Sequence, residues 1–408
     1  MGQLKLETLR RKKGLTQEAL ADELRVSLQA VGKWVRGEAR PHPSTAYQLA
    51  QYFGIDDPEE LFKPESEPEL EQDIVMDYLN KLNRRELLEL LGRLSVFAGV
   101  DLSILDDPQN VAPEELLNCC RVSIGECWDL LYGGGFSIAE SILKQCAISL
   151  SNMATHPSKY KHQAALLAVE ANIIMMSIAA HKLDYGAREL FGLEAVRFGE
   201  LSRDSNIHVI ALGWHGNTYE SCYHLPENAI ATYNDALPHL SDDAPLSKVD
   251  IYIGLAKAYA LDKNEKKARD YLELAQTAMP EDPESAPLYR IIRTGQAELD
   301  ERTGRVYHIL AEKFPGEGYA QMAYDTFEKS TNNHAISIGH RGHMLVQKAD
   351  AARSIGDLDE YIKCLEEGVQ TALRFGSKHR INKARGVLRK APQSWKSEKK
   401  YQNLVKLF

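Results

Sequence analysis

The chain has 408 residues, 44% of them hydrophobic and 26% charged. That length suits two or three domains, and that balance describes an ordinary soluble protein with ample core. Residues 1–55 hold 9 Lys and Arg against 5 Asp and Glu, residues 377–408 hold 10 against Glu398 alone, and the stretch between carries a net charge of −22. A basic head on an acidic body suits a protein that presents one end to nucleic-acid phosphates, and the bulk of the chain does not read as a nucleic-acid surface.

No membrane span is expected, because no apolar run reaches about 18 residues. Charged residues begin at Lys5, so no signal peptide is expected either, and the reading is a cytoplasmic protein. The pair Arg84-Arg85 is internal and lacks the long apolar core of a twin-arginine signal. Six cysteines stand at 119, 120, 127, 146, 222 and 364 with no C-x-x-C pair, and they read as reduced, mostly buried thiols.

Residues 4–13 read as a first helix with Leu4, Leu6 and Leu9 inward. The run Arg10-Arg11-Lys12-Lys13 at its end either touches phosphate or complements the helix dipole. Thr16 then caps a helix over 17–24, with Ala19, Leu20 and Leu24 along one side. A turn of Arg25-Val26-Ser27 leads into S-L-Q-A-V-G-K-W-V-R-G, residues 27–37. Ser27 is a good N-cap. Leu28, Val31, Trp34 and Val35 give one apolar face, leaving Gln29, Ala30, Lys33 and Arg36 on the others. Such a turn sets two helices so that the second can enter a major groove. Beyond it, Arg40-Pro41-His42-Pro43 breaks the chain, and Ser44 caps a helix carrying Ala46, Leu49, Ala50 and Phe53. A last turn runs through Leu61-Phe62.

Leu15-Thr16-Gln17-Glu18-Ala19-Leu20-Ala21, Leu24, Val26-Ser27, Val31, Trp34 and Arg36-Gly37 are similar to the DNA-binding domain of the lambda Cro/cI repressor class, the XRE family. The resemblance covers about residues 4–62. It departs from the family at Arg25, where Gly is common, at Gly32 inside the recognition helix, and at Val35, where Glu is usual. A left-handed Arg25 and a mid-helix Gly32 would each cost about 1 kcal/mol. The resemblance implies a five-helix lambda-repressor-like domain in which Gln29 and Lys33 read base edges, with Ala30 on the same exposed side. Gln17, Ser27, Arg36 and Arg40 would grip phosphates. Trp34 belongs either to the core or to the sugar-phosphate contact.

Residues 63–73 hold two prolines and an acidic excess, and read as a solvated linker. Residues 74–160 read as a helical connecting region. Its leucine-rich part, 84–100, is either buried within the chain or a dimer contact. Tyr132-Gly-Gly-Gly-Phe136 lacks the Lys-Ser/Thr ending of a phosphate loop and reads as a break between helices.

From 161 to 376 a period in the mid-thirties appears, which is the mark of stacked helix pairs. The clearest unit, 249–282, carries Tyr252, Leu255, Ala256, Tyr259, Ala268, Leu272, Ala275 and Pro280. These are similar to the tetratricopeptide pattern. Another, 342–375, has Ala349, Ala352, Gly356, Tyr361 and Leu365 on the same frame, and weaker units cover 169–202, 210–241 and 286–334. The fold expected is all-α: a Cro/cI-type head, then a tetratricopeptide-like α-solenoid with a concave groove, closed by basic capping helices over 377–408.

No catalytic constellation is present, so the chain does not read as an enzyme. His334, His340 and His343 cluster without metal-ligand spacing, and neither metal nor cofactor is expected. The architecture resembles the peptide-sensing quorum regulators of Gram-positive bacteria (RRNPP-like). It implies a homodimer on a palindromic operator in double-stranded DNA, controlled by a short signalling peptide in the repeat groove. Groove candidates on that frame are Glu170, Asn172, Trp214, Asn217, Thr218, Lys257 and Arg293. The alternative is a DNA-tethered interaction scaffold whose groove takes a protein partner.

Overall fold

A computed structural model describes residues 6, 9–10, 16–24, 26–53, 61–62, 112–332 and 338–408. The chain divides into two compact units, Met1–Asp73 and Ile74–Phe408. The linker 63–73, the leucine-rich 84–100 stretch and His334 lie outside the described residues. Among the described residues every regular element is a helix.

In the first unit α1 (Gln17–Leu24) packs against α2 (Leu28–Arg36) and α3 (Pro43–Phe53). Leu6, Leu20, Ala21, Val31, Trp34, Leu49, Phe53, Leu61 and Phe62 form its core. Trp34 is buried, so it belongs to the packing rather than to a surface. Two expectations need correction. Leu28 is 44% exposed, because it is the first residue of α2 and the helix end projects past the core that takes Val31 and Trp34. The third helix begins at Pro43 rather than after Ser44: the Thr45 and Ala46 N–H groups donate to the His42 carbonyl at 2.9 and 3.0 Å. Proline suits a first helical position, since its fixed φ is already helical and its missing N–H is not needed there.

The second unit is a succession of antiparallel helix pairs. In chain order they are α4 (Pro113–Gly133) and α5 (Phe136–Thr155), α6 (Lys161–Lys182) and α7 (Tyr185–Ser202), then α8 (Ser205–Thr218) and α9 (Pro226–Ala236). They continue with α10 (Pro245–Leu261) and α11 (Glu265–Ala278), a short α12 (Tyr289–Ile292), α13 (Gln296–Lys313) and α14 (Tyr319–Thr331), and α15 (Ile338–Ile355) and α16 (Leu358–Arg374). The last two are α17 (Lys378–Arg389) and α18 (Lys399–Val405). A single local device makes three of the bends within pairs. The first helix of a pair ends on a left-handed residue (Leu183, Lys263 or Gly356), and the next residue caps the second helix. Asp184 accepts from the Ala187 N–H at 3.0 Å, Asn264 from Lys267 at 3.2 Å and Asp357 from Glu360 at 3.0 Å. The left-handed residue satisfies the ending carbonyls while the cap satisfies the starting N–H groups. Gly134 (φ 87°) makes the break expected at the glycine run.

Small residues set the spacing between pairs. Gly254 of α10 lies against the Tyr233 ring of α9, where an added Cβ would come within 2.4 Å. Ala256, Ala268, Leu272 and Ala275 are all buried between α10 and α11.

The first helices of the pairs form an inner row in which each touches the next: α6 to α8, α10, α13, α15 and α17. Helix α17 does more than cap the last pair, because it also packs against α6. The row returns on itself, and the open groove expected from the repeats is a ring of six helices. At its start, α6 is long and apolar enough to cross a membrane by length and composition, against the expectation that no such run exists. Yet 78% of that window is buried inside the protein, as befits a helix packed on nearly every side.

Candidate functional site

The first site is built on α2. The Ser27 hydroxyl accepts from the Ala30 N–H at 3.2 Å and starts the helix. Gly37, left-handed at φ 73°, ends it: its N–H donates to the Trp34 carbonyl at 3.1 Å and the Glu38 N–H to Lys33 at 2.9 Å. This paired closure is the Schellman ending that glycine permits. The helix before it closes through a six-to-one bond from the Val26 N–H to the Ala21 carbonyl at 2.9 Å, and Arg25 lies outside the described residues.

With both ends fixed and Val31 and Trp34 in the core, Gln29 and Lys33 stand exposed on the outward side. Ala30 is half-buried against the core, Gln17 is half-buried at the start of α1, and Ser27 is exposed while engaged as the cap. Arg40 is exposed and its guanidinium sits 4.8 Å from the centre of the Phe62 ring. The backbone of Arg36 closes α2, and its side chain lies outside the described residues. Arg10 is buried, so within the run 10–13 it serves the packing and not a surface contact; Arg11, Lys12 and Lys13 lie outside the described residues. Exposed Leu28, beside Gln29, is an apolar group on the outward side of α2 that helical periodicity assigns to the core.

Residues 6–59 match the Helix-turn-helix family model. The head is a helix-turn-helix DNA-binding domain. At this level the chain is a DNA-binding transcription regulator, and the helix-turn-helix family is one of regulators rather than of enzymes. No curated protein matches the chain.

The second site lies in the body, where five of the seven groove candidates fall into two groups. Asn217, Thr218 and Lys257 belong to one polar network. Arg188 donates to Thr218 Oγ1 at 3.1 Å and to Asn217 Oδ1 at 2.8 Å. Asn217 Nδ2 donates to Glu220 Oε1 at 2.7 Å, and Lys257 Nζ meets the same oxygen at 3.1 Å. Thr218 is fully buried, and the amide of Asn217 is committed on both sides. Glu170 and Arg293 instead meet the connection between α11 and α13, which crosses to α4 and α6. Arg290 pairs with Glu170 at 2.5 Å, and Arg293 lies over the Tyr132 ring at 4.5 Å. Arg293 is not on the first helix of a pair: it follows α12 at φ 45°, in the left-handed region. Asn172 is buried and bonded back to the Ala168 carbonyl at 2.7 Å, within its own helix. Trp214 is half-buried against the core formed by α4 to α8.

Around the ring other charged groups converge that the repeat frame did not single out. Arg305 of α13 donates from Nε to Glu301 at 2.5 Å and from Nη2 to His343 Nε2 of α15 at 3.0 Å. Since guanidinium only donates, His343 accepts at Nε2 and is neutral. Burial, reinforced by Lys383 and Arg305, holds its pKa well below the ordinary value. Burial, with Arg305 and Lys257, pushes the Lys383 ammonium of α17 down to about 7. Burial alone brings Arg380 down to about 10. The tail residues Arg380 and Lys383 read in the sequence only as net charge.

For metal, three ligand atoms of His308, Glu312 and Asp350 lie within 4.8 Å of one another. Asp350 also takes Lys390 at 3.0 Å and Arg353 at 2.7 Å. Burial opposes its charge, but His308, Lys390 and Arg353 hold the carboxyl well below its usual range, as in a structural ion network.

Proposed function

We propose that this regulator is controlled by a ligand bound in its helical body and acts as a homodimer on a palindromic operator. The observation that carries the DNA half is α2, which is capped at both ends, anchored by Val31 and Trp34, and presents Gln29 and Lys33 outward. Gln29 would pair with an adenine edge, Lys33 with a guanine edge, and Leu28 with a thymine methyl. Ser27, Arg40, Gln17 and Arg36 would position the domain on phosphates, with Ala30 lying close to the duplex. One such head buries little surface, so useful affinity wants two heads about one helical turn apart, and the body would supply the dimer contact.

The body supports the reading of a tetratricopeptide-like solenoid resembling the RRNPP-like peptide sensors. Stacked antiparallel pairs with Ala and Gly at close approaches are the geometry that such repeats need. The functional segments would be a head over 1–62, a linker over 63–73, a connecting region over 74–160, repeats over 161–376, and a basic C-terminal segment over 377–408. Within the last, α17 completes the ring. A short signalling peptide bound inside that ring would change the spacing of the repeats and shift the dimer between DNA-competent and incompetent states. Selection of binding sites from random duplexes tests this reading. A two-fold symmetric consensus supports it, and an absence of any enriched sequence would end it.

A further inference from the structure

Helix α17 returns to α6 and turns part of the basic C-terminal segment inward. Five cations gather on this stretch of the ring: Lys257 from α10 and Arg305 from α13 both repel Lys383 of α17, and His379 of α17 feels Lys383, Arg305, Arg380 of its own helix and Arg188 from α7. Two carboxylates answer them. Glu220 takes Lys257 and Glu301 takes Arg305. Among the described residues, Arg188 meets only neutral groups (Thr218, Asn217 and the Met176 carbonyl). Neither Arg380 nor Lys383 has a carboxylate within ion-pair distance among those residues. Three positive charges are therefore left over in a space surrounded by protein. The Lys257 and Arg305 side chains keep 15% and 21% of their exposure, and Arg380 and Lys383 are also partly exposed, so four of the five groups reach solvent while Arg188 is buried behind them.

Like charges held at this density repel, and partial burial strengthens the repulsion that water would otherwise screen. A neutral ligand would leave the excess untouched and a cationic one would add to it. We propose that the interior of the helical ring is an anion-binding site, in which Lys383, Arg380 and Arg188 hold a carboxylate or phosphate group of the controlling ligand. Lys257 and Arg305, already paired, flank it. This deepens the reading of the body as the sensing half and rests on it.

The test uses the full-length protein without DNA. Its melting temperature is followed against citrate, as the carboxylate probe, and pyrophosphate, as the phosphate probe, with sodium chloride at matched ionic strength as the control. At least one probe should raise the melting temperature saturably beyond the chloride control, and the probe that does so identifies the chemistry. Lys383→Met and Arg380→Met should weaken that binding by at least about tenfold. Lys400→Met, whose exposed ammonium pairs with Asp359, should leave it unchanged. Without any probe, Lys383→Met should melt higher than the parent, because one of the repelling charges is gone. No effect beyond chloride from either probe, equal binding by Lys383→Met, or a lower melting temperature of that variant without probe would each overturn the proposal. A failure of the head to bind duplex DNA would instead sink the regulator reading and leave this result standing.

Discussion

The Glu170 carboxylate of α6 and the Arg290 guanidinium of the α11–α13 connection meet at 2.5 Å, with the Glu170 side chain almost wholly buried and Arg290 about half exposed. The connection is held in place by this pair, by Arg293 over Tyr132, and by Leu288 and Arg293 in the left-handed region. Removing Arg290 leaves a buried carboxylate without its cation. Arg290→Ala should cost about 1–2 kcal/mol at pH 8, given the partial exposure of the arginine. Burial already raises the Glu170 pKa, against the pull of Arg290, and the substitution raises it further. A raised folded pKa for an acid means that the penalty falls on the ionised form. The deficit should therefore shrink as pH falls through the raised pKa and the carboxyl takes up a proton. Urea denaturation of parent and variant between pH 8 and 5 checks this.

Two glycines should respond in opposite directions. At Gly254 an added methyl would meet the Tyr233 ring at 2.4 Å, and at Gly386 of α17 it would meet nothing within 4 Å. Gly254→Ala should destabilise the protein by about 1–3 kcal/mol through overpacking. Gly386→Ala should stabilise it by about 0.5–1 kcal/mol through helix propensity and a less free unfolded chain. Chemical denaturation midpoints of the two variants should lie on either side of the parent.

In the head, Ser27→Ala removes the acceptor for the Ala30 N–H. It should destabilise the first unit by about 1 kcal/mol. Gly37→Ala places a Cβ on a left-handed residue and should cost about 1–2 kcal/mol. Hydrogen exchange of the α2 amides reads both locally, and the body amides should not change.

These head features were legible in the sequence because each is local. A cap, a three-and-four spacing and a terminal glycine are written within eleven residues. Leu28 fits that spacing yet is exposed, since periodicity does not show where a helix end leaves its core. Pro43 reads as a breaker although it starts a helix, because one residue type does both. In the body, the Tyr and Ala frame of 249–282 marks one pair well. The return of α17 to α6 depends on the rotation accumulated over six helices, with contacts some two hundred residues apart such as His181 Nδ1 to Ser377 Oγ at 2.8 Å. No window of sequence carries that sum. Arg380 and Lys383 read as tail charge for this reason, and Arg188, on the second helix of its pair, lies off the frame that gives the groove candidates.

The ring also sets a pH dependence. Lys383 faces His379 and Arg380 on its own helix, His343 on α15, Arg305 and Glu301 on α13, Lys257 on α10, and Glu220, Cys222 and His224 in the turn after α8. Its folded pKa of about 7 lies below the unfolded value. The unfolded chain therefore binds more protons between the two values, and stability from this group rises with pH across that window. Between pH 7 and 9 the parent should gain stability through this residue, and Lys383→Met should show a flatter profile. Thermal melts across that range in a low-salt buffer provide the measurement.

The central claim is that Gln29 reads a base from a helix that the rest of the head only positions. Fluorescence anisotropy of full-length protein on its selected duplex and on a scrambled duplex, at several salt concentrations, tests it directly. Gln29→Ala should lose about 1–3 kcal/mol of preference for the selected duplex and keep its affinity for the scrambled one. Arg36→Ala should instead weaken both and reduce the salt slope by about 1. If Gln29→Ala discriminates the two duplexes as well as the parent does, the account of the recognition helix is contradicted.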